Sequence, residues 1–275
     1  MRFSKMQGIG NDYIYVNCFE EQVDNPAQLS IRLSDRHFGI GSDGLILIKP
    51  SEKADAEMDL YNADGSRAKM CGNGIRCVGK YVYERGIAQK DMLTIDTQSG
   101  VKTLYLETEA GKVKSIRVNM GQPGLTPESI PTTLSEVKEQ PLTANGQTYT
   151  VTCVSMGNPH CVIFVDDVQG LDLEKIGPAL ENHPAFPERA NIEFVRICGE
   201  NEAEMRVWER GSGETWACGT GACAVTVACA LTGRTGRRVL VHLRGGDLTI
   251  FWDEQTNEVE MTGPAEFVFD GEVQI

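Results

Sequence analysis

The stretch WACGTGACAV (residues 216–225) sets a cysteine in front of a glycine-threonine-glycine turn and then a run of small apolar residues. A nearly matching arrangement, MCGNGIRCV, occupies residues 70–78. The two cysteines lie 147 positions apart (71 to 218), and the same offset relates other blocks of the chain. It carries Gly10-Asn11 onto Gly157-Asn158, YIYV (13–16) onto HCVI (160–163), and GLILI (44–48) onto NIEFV (191–195). It also carries Met58 onto Met205, Tyr61 onto Trp208, Asn62 onto Glu209, Gly72 onto Gly219, Gly74 onto Gly221 and Val78 onto Val225. One offset shared by separated blocks marks a duplication. Each half holds an apolar β-like segment, a polar turn, and a glycine turn leading into a helix.

Local patterns fill in the halves. AEMDLYNADGS alternates and then turns at Ala63-Asp64-Gly65, a strand followed by a turn; EMRVWERGSGE repeats this. After Cys71, Ile75, Val78 and Val82 share one helical face, and Gly86 is the expected stop. After Cys218, ACAVTVACALTGR is apolar nearly all round, which predicts a buried helix ending near Gly233. RVLVHLRGGDLTIFW and VEMTGPAEFVFDGEVQI read as β hairpins, and MGQPGLTPESIPTT (120–133) breaks the pattern where the halves should meet. The expected fold class is α+β, with two pseudo-symmetric domains that each place strands around a helix.

The 275 residues suit one large or two ordinary domains. A net charge of −13 argues against nucleic acid or an anionic membrane surface as partner. The N-terminus lacks a signal-peptide apolar core, and ACAVTVACAL (222–231) is too short for a membrane helix, so a cytoplasmic location is expected. Nine cysteines, an odd number, favour reduced thiols. Seven of them (18, 77, 153, 161, 198, 223 and 229) read as small buried hydrophobes.

Cys71 and Cys218 read differently. A cysteine at a helix N-terminus faces unpaired amides and the positive end of the helix dipole, which lowers a thiol pKa. The glycines let backbone amides approach an anion. Two such turns facing one cleft would reach a planar carbanion from both sides, as inversion at carbon requires: one group removes the proton and another returns it to the opposite face. Each turn thus offers a thiolate base and a cradle for a carboxylate.

The segments KMQGIGNDY (5–13), YNADGSRAKMCGNGIR (61–76), MGNPHCV (156–162) and ERGSGETWACGTGACA (209–224) closely resemble diaminopimelate epimerases over nearly the whole chain. The resemblance implies cofactor-independent interconversion of LL- and meso-diaminopimelate by two acid/base cysteines, without pyridoxal phosphate or metal, in lysine and peptidoglycan precursor biosynthesis. It implies two matching domains, each a β-barrel-like sheet around a central helix, with the active site between them. The expected divisions are 1–119, with 264–275 returning to it, and 120–263. Family members are often homodimers. By matching motif, Cys71 and Cys218 are the thiols, and Asn11, Asn62, Gly72, Asn73, Asn158, Asn191, Glu209, Arg210, Gly219 and Thr220 contact the small-molecule substrate. Arg210 suits a carboxylate and Glu209 an ammonium group; His160 is a candidate positioning residue. One position departs from the pattern: many members carry Gln where this chain has Gly44, and glycine offers no side-chain contact. By the offset, Asn191 would contribute there instead.

Competing readings have distinct marks. Glu209-Arg210 also fits a solvated surface pair, and the asparagines fit turn chemistry. A proline racemase-like enzyme would lack selectivity for a distal amino-carboxylate. A thiol redox sensor would need no turnover. GIGSDG (39–44) matches a dinucleotide-loop spacing, yet it precedes the strand-like LILI instead of opening a helix. Cys218 and Cys223 have zinc-ligand spacing without a second pair.

Overall fold

The computed structural model describes residues 1–274, which form a mixed α+β fold. The chain falls into two compact units: Met1–Asn119 with the segment from Thr262 onward, and Met120–Met261.

The first unit contains β1 (Arg2–Gly8), β2 (Asn11–Asn17), α1 (Pro26–Ser34), β3 (Gly44–Lys49), β4 (Ala56–Asn62), β5 (Arg67–Ala68), α2 (Gly72–Glu84), β6 (Met92–Asp96), β7 (Lys102–Glu109) and β8 (Lys112–Gly121). β1 is antiparallel to β2, β2 parallel to β3, β3 antiparallel to β4, and β4 parallel to β6. β3 reads GLILIK and is buried almost throughout. The cause is cover on both faces, the usual setting of a parallel pair. Leu45 and Leu47 meet Leu33 and Leu29 of α1, while Ile46 points at Gly74 of α2.

The second unit contains β9 (Gln140–Ala144), β10 (Gln147–Ser155), β11 (Pro159–Phe164), α3 (Leu173–Glu181), β12 (Asn191–Gly199), β13 (Glu202–Glu209), β14 (Gly213–Thr215), α4 (Gly219–Leu231), β15 (Arg238–Leu243), β16 (Gly246–Trp252) and β17 (Val259–Gly263). The last strand, β18 (Glu266–Glu272), runs antiparallel to β1.

The repeat extends to register. Ile14 pairs with Leu45 in the first unit, and the residues 147 positions on, Cys161 and Ile192, pair in the second. Leu45 with Tyr61 and Ile192 with Trp208 match in the same way. Moving α1 by 147 positions gives the span of α3, and moving α2 by 147 gives α4. Neither α1 nor α3 is visible in the sequence patterns. Each has nine residues, α3 has Pro178 inside it, and their capping side chains, Asn25 and Asp172, are single residues in polar loops.

Strands surround each cysteine-headed helix. α2 packs on β1, β2, β4, β6, β7 and β18; α4 packs on β10, β11, β12, β15 and β16. For α4 this suits a sequence without a polar face, and Gly219 and Gly221–Cys229 are all buried. For α2 the enclosure has a different consequence. The expected face of Ile75, Val78 and Val82 is buried, and so are Arg76 and Lys80. Both cations end on backbone carbonyls: Arg76 Nε donates to Pro264 O at 3.1 Å, and Lys80 Nζ to Val113 O at 2.8 Å. Gly86 and Gly233, with φ of 74° and 69°, lie just beyond the two helices.

Candidate active site

Each cysteine is the N-cap of its helix, in extended conformation: Cys71 at φ −136°, ψ 120° and Cys218 at φ −123°, ψ 105°. The strand–turn–helix path places both thiols where a helix presents its unpaired amides. The expected glycine turns are thereby the first helical turns themselves, Gly72-Asn73-Gly74 and Gly219-Thr220-Gly221.

In the first unit, the Gly74 amide donates to Cys71 Sγ at 3.3 Å, and the thiol donates to Asn11 Oδ1 at 3.2 Å. Asn11 Nδ2 donates to Asp43 Oδ2 at 2.7 Å, which fixes its orientation. Burial and neighbouring Asp12 push the Asp43 carboxyl up. Burial also works to raise Asp12, but hydrogen bonds from Arg36 and Lys5 overcome it and hold that carboxyl low. GIGSDG is therefore a support for Asn11, through Asp43, and it leads into β3 rather than a helix. Tyr13 is buried beside Cys71, and burial with that thiol raises its hydroxyl well above the ordinary range. Asn73 is buried in the first turn of α2. Asn62 ends β4, and its Nδ2 donates to Ser66 Oγ at 3.0 Å; its carboxamide takes part in the turn.

In the second unit, Cys218 Sγ lies 3.6 Å from Thr220 Oγ1, and Asn158 Nδ2 donates to Thr220 Oγ1 at 3.3 Å. His160 is fully buried, with Nε2 3.1 Å from Asn158 Oδ1 and Nδ1 2.6 Å from Glu193 Oε1. Glu209 Oε1 accepts from Thr215 Oγ1 at 2.5 Å, and burial pushes the Glu209 carboxyl up. Asn191 is clamped at both ends: its Nδ2 donates to Pro159 O at 3.0 Å and its Oδ1 accepts from the Arg210 amide at 2.9 Å. Arg210 Nη1 donates to Glu188 O at 2.9 Å. Asn191 thus holds backbone, and it fixes where Arg210 leaves β13.

The Gly44 position has a steric cause. A Cβ there would lie 2.1 Å from the Tyr61 carbonyl and 2.9 Å from the Tyr13 ring, so no side chain fits.

One expectation is corrected. Placement at a helix N-terminus was expected to lower both thiols. The Cys218 thiol is instead pushed well above the ordinary cysteine value, first by burial and then by the Glu209 and Glu193 carboxylates; the Thr220 hydroxyl pulls the other way and loses. Desolvation of an anion outweighs one helix dipole here. Iodoacetamide, read site by site by mass spectrometry, is therefore expected to label Cys218 with a pH midpoint above that of a free cysteine. A midpoint at or below the free value would contradict this.

Sequence reasoning missed Glu193, Asp43, Tyr13 and Thr215. Glu193 alone left a signal: it is the one charge in NIEFV and stands where the first half has Ile46.

The profile of the family described as diaminopimelate epimerase matches residues 3–126 and 152–268. A diaminopimelate epimerase of Agathobacter rectalis is 58% identical over 284 residues, covering all of both chains. One from Acetivibrio thermocellus is 56% identical, covering 100% of this chain and 99% of its own. Among solved structures, a PhzF-family phenazine biosynthesis protein of Bacillus anthracis superposes with a TM-score of 0.73 at 18% identity, covering 100% of this chain and 99% of that one. A probable proline racemase of Agrobacterium radiobacter does so at 0.71 and 13% identity, covering 100% and 93%. At those identities the structures show the shared fold. The sequence relatives show more: the chain belongs to the diaminopimelate epimerase family.

Proposed function

We propose that this protein epimerises LL-diaminopimelate to meso-diaminopimelate, with Cys71 and Cys218 as its two acid/base groups. The carrying observation is a cysteine at the N-cap of a strand-wrapped helix in each unit, at matched positions of one repeat. One thiol takes the α-proton and the other delivers a proton to the opposite face. The roles exchange with reaction direction. The first-turn amides of α2 and α4 suit the substrate carboxylate and its enediolate. The two thiols titrate as a pair in this reading, since they are in opposite protonation states when substrate binds.

Asn11, Asn62, Asn73, Asn158, Asn191, Glu209, Arg210, Thr220 and the amides of Gly72 and Gly219 are proposed to contact substrate. Arg210 retains guanidinium donors beyond the one bound to Glu188 O, which suits a distal carboxylate. Asn191 also acts through the backbone it holds. The proposed setting is a homodimer in the cytoplasm, working without pyridoxal phosphate and serving lysine and peptidoglycan precursor synthesis. Family likeness supports the dimer and the pathway, and an odd number of cysteines supports a reducing compartment.

The test is turnover of LL-diaminopimelate by the purified chain, with no cofactor added and hydroxylamine present to trap any pyridoxal phosphate. Undiminished formation of the meso isomer is expected, with kcat/KM on proline far lower. Activity lost to the trap, or comparable activity on proline, would overturn the reading.

A further inference from the structure

The two half-sites are built on one repeat but carry different chemistry. The offset pairs Tyr13 with His160 and Ile46 with Glu193. The structure places these pairs equivalently. A Cβ built on Gly74 would lie 2.8 Å from Ile46 Cδ1, and one on Gly221 would lie 2.9 Å from Glu193 Oε1 and 3.2 Å from Cys218 Sγ. The spot beneath the first helical turn thus holds a methyl group in one unit and a carboxylate in the other. The fold is satisfied by isoleucine there. A carboxylate is a costly replacement: Glu193 is fully buried, and its Oε2 has no hydrogen-bond partner among the described residues. Structural need does not explain it.

We propose that Glu193 is a positioning residue for Cys218: by pairing with His160 it fixes a one-way chain of hydrogen bonds, through Asn158 and Thr220, that ends by donating to the Cys218 sulfur. The inference rests on the reading of Cys218 as an acid/base group. Its logic is donor counting. Asn158 Nδ2 donates to Thr220, so Asn158 Oδ1 is left to accept, and it faces His160 Nε2. Glu193 Oε1 accepts at Nδ1. Each ring nitrogen therefore faces an oxygen that accepts, and both donate in the proposed chain. Thr220 Oγ1, already accepting from Asn158, is free to turn its proton toward Sγ. Without the Glu193 carboxylate nothing holds a proton on both ring nitrogens at once. Nε2 then accepts, the Asn158 carboxamide reverses, and Thr220 donates to Asn158 instead of sulfur. The other ionisable neighbours are Glu209 on β13, Cys161 beside His160 on β11, and Cys153 facing it on β10. None of them supplies a second anion at Nδ1.

The test measures alkylation of Cys218 and Cys71 in the same chain by iodoacetamide, at one mildly alkaline pH, with the sites separated by mass spectrometry. Glu193→Gln keeps the shape and removes the charge. Because that carboxylate also raises the Cys218 thiol, the readout is whether Thr220 still matters without it. Thr220→Val alone is expected to slow Cys218 by about tenfold, the worth of one hydrogen bond to a charged group, and to leave Cys71 unchanged. In the Glu193→Gln background the same Thr220 change is expected to have no effect on Cys218. An unchanged Cys218 in Thr220→Val, equal slowing at both cysteines, or the same slowing with and without the Glu193 charge would overturn the proposal. Should Glu193→Gln fail to fold, nitrogen NMR of the unsubstituted protein decides: two protonated ring nitrogens on His160 support it, and one bare nitrogen overturns it. Alkylation needs no turnover, so inactivity of the unsubstituted protein on diaminopimelate would remove the functional reading without deciding this one.

Discussion

Replacing Cys71 or Cys218 by alanine is expected to lower kcat for epimerisation by about 10³-fold or more, the upper range for loss of a positioned general acid or base. The structure adds a sharper expectation. Each thiol is held by its own unit: Cys71 by the Gly74 amide and Asn11, Cys218 by its position near Thr220. Removing one leaves the other seated. Each alanine variant should then exchange the α-proton of one stereoisomer with solvent and fail to invert it, and the two variants should act on opposite isomers. Proton NMR in heavy water reads both quantities. Normal inversion in either variant, or exchange of the same isomer by both, would contradict the assignment.

The second large effect is on stability. Gly44→Gln is expected to destabilise this protein by about 3 kcal/mol, at the upper end of overpacking costs. The Cβ would meet the Tyr61 carbonyl, which is tied into the β3–β4 pairing, so the clash cannot be relieved by a rotamer change. Such a loss corresponds to a fall in Tm of roughly 6–12 °C for domains of 150–250 residues. Urea unfolding followed by circular dichroism measures it. Unchanged stability would show that the β3–β4 backbone yields at this point.

The repeat was legible because the two halves kept their apolar segments and helix caps at one spacing. The register of Ile14 with Leu45 and of Cys161 with Ile192 follows from that spacing. The cysteine caps were legible for the same reason. Other parts depend on contacts that no local pattern encodes. The burial of Arg76 and Lys80 follows from strands wrapping α2 on all sides, which the apolar face of Ile75, Val78 and Val82 does not encode. His160 and Glu193 are 33 positions apart and meet only because β11 and β12 run in parallel. The raised Cys218 thiol follows first from burial and then from the Glu209 and Glu193 carboxylates, so helix position alone gave the wrong direction. The double clamp on Asn191 was hidden because an asparagine before a strand looks the same whether it grips substrate or backbone.

The most direct test of the account follows LL-diaminopimelate in heavy water and compares early deuterium in the meso product with that in recovered LL substrate. Two separate sulfur bases, one for each direction, require the inverted product to carry solvent deuterium while the remaining substrate stays protiated. Equal labelling of both isomers from the start would show one group serving both faces, and the paired roles of Cys71 and Cys218 would fall.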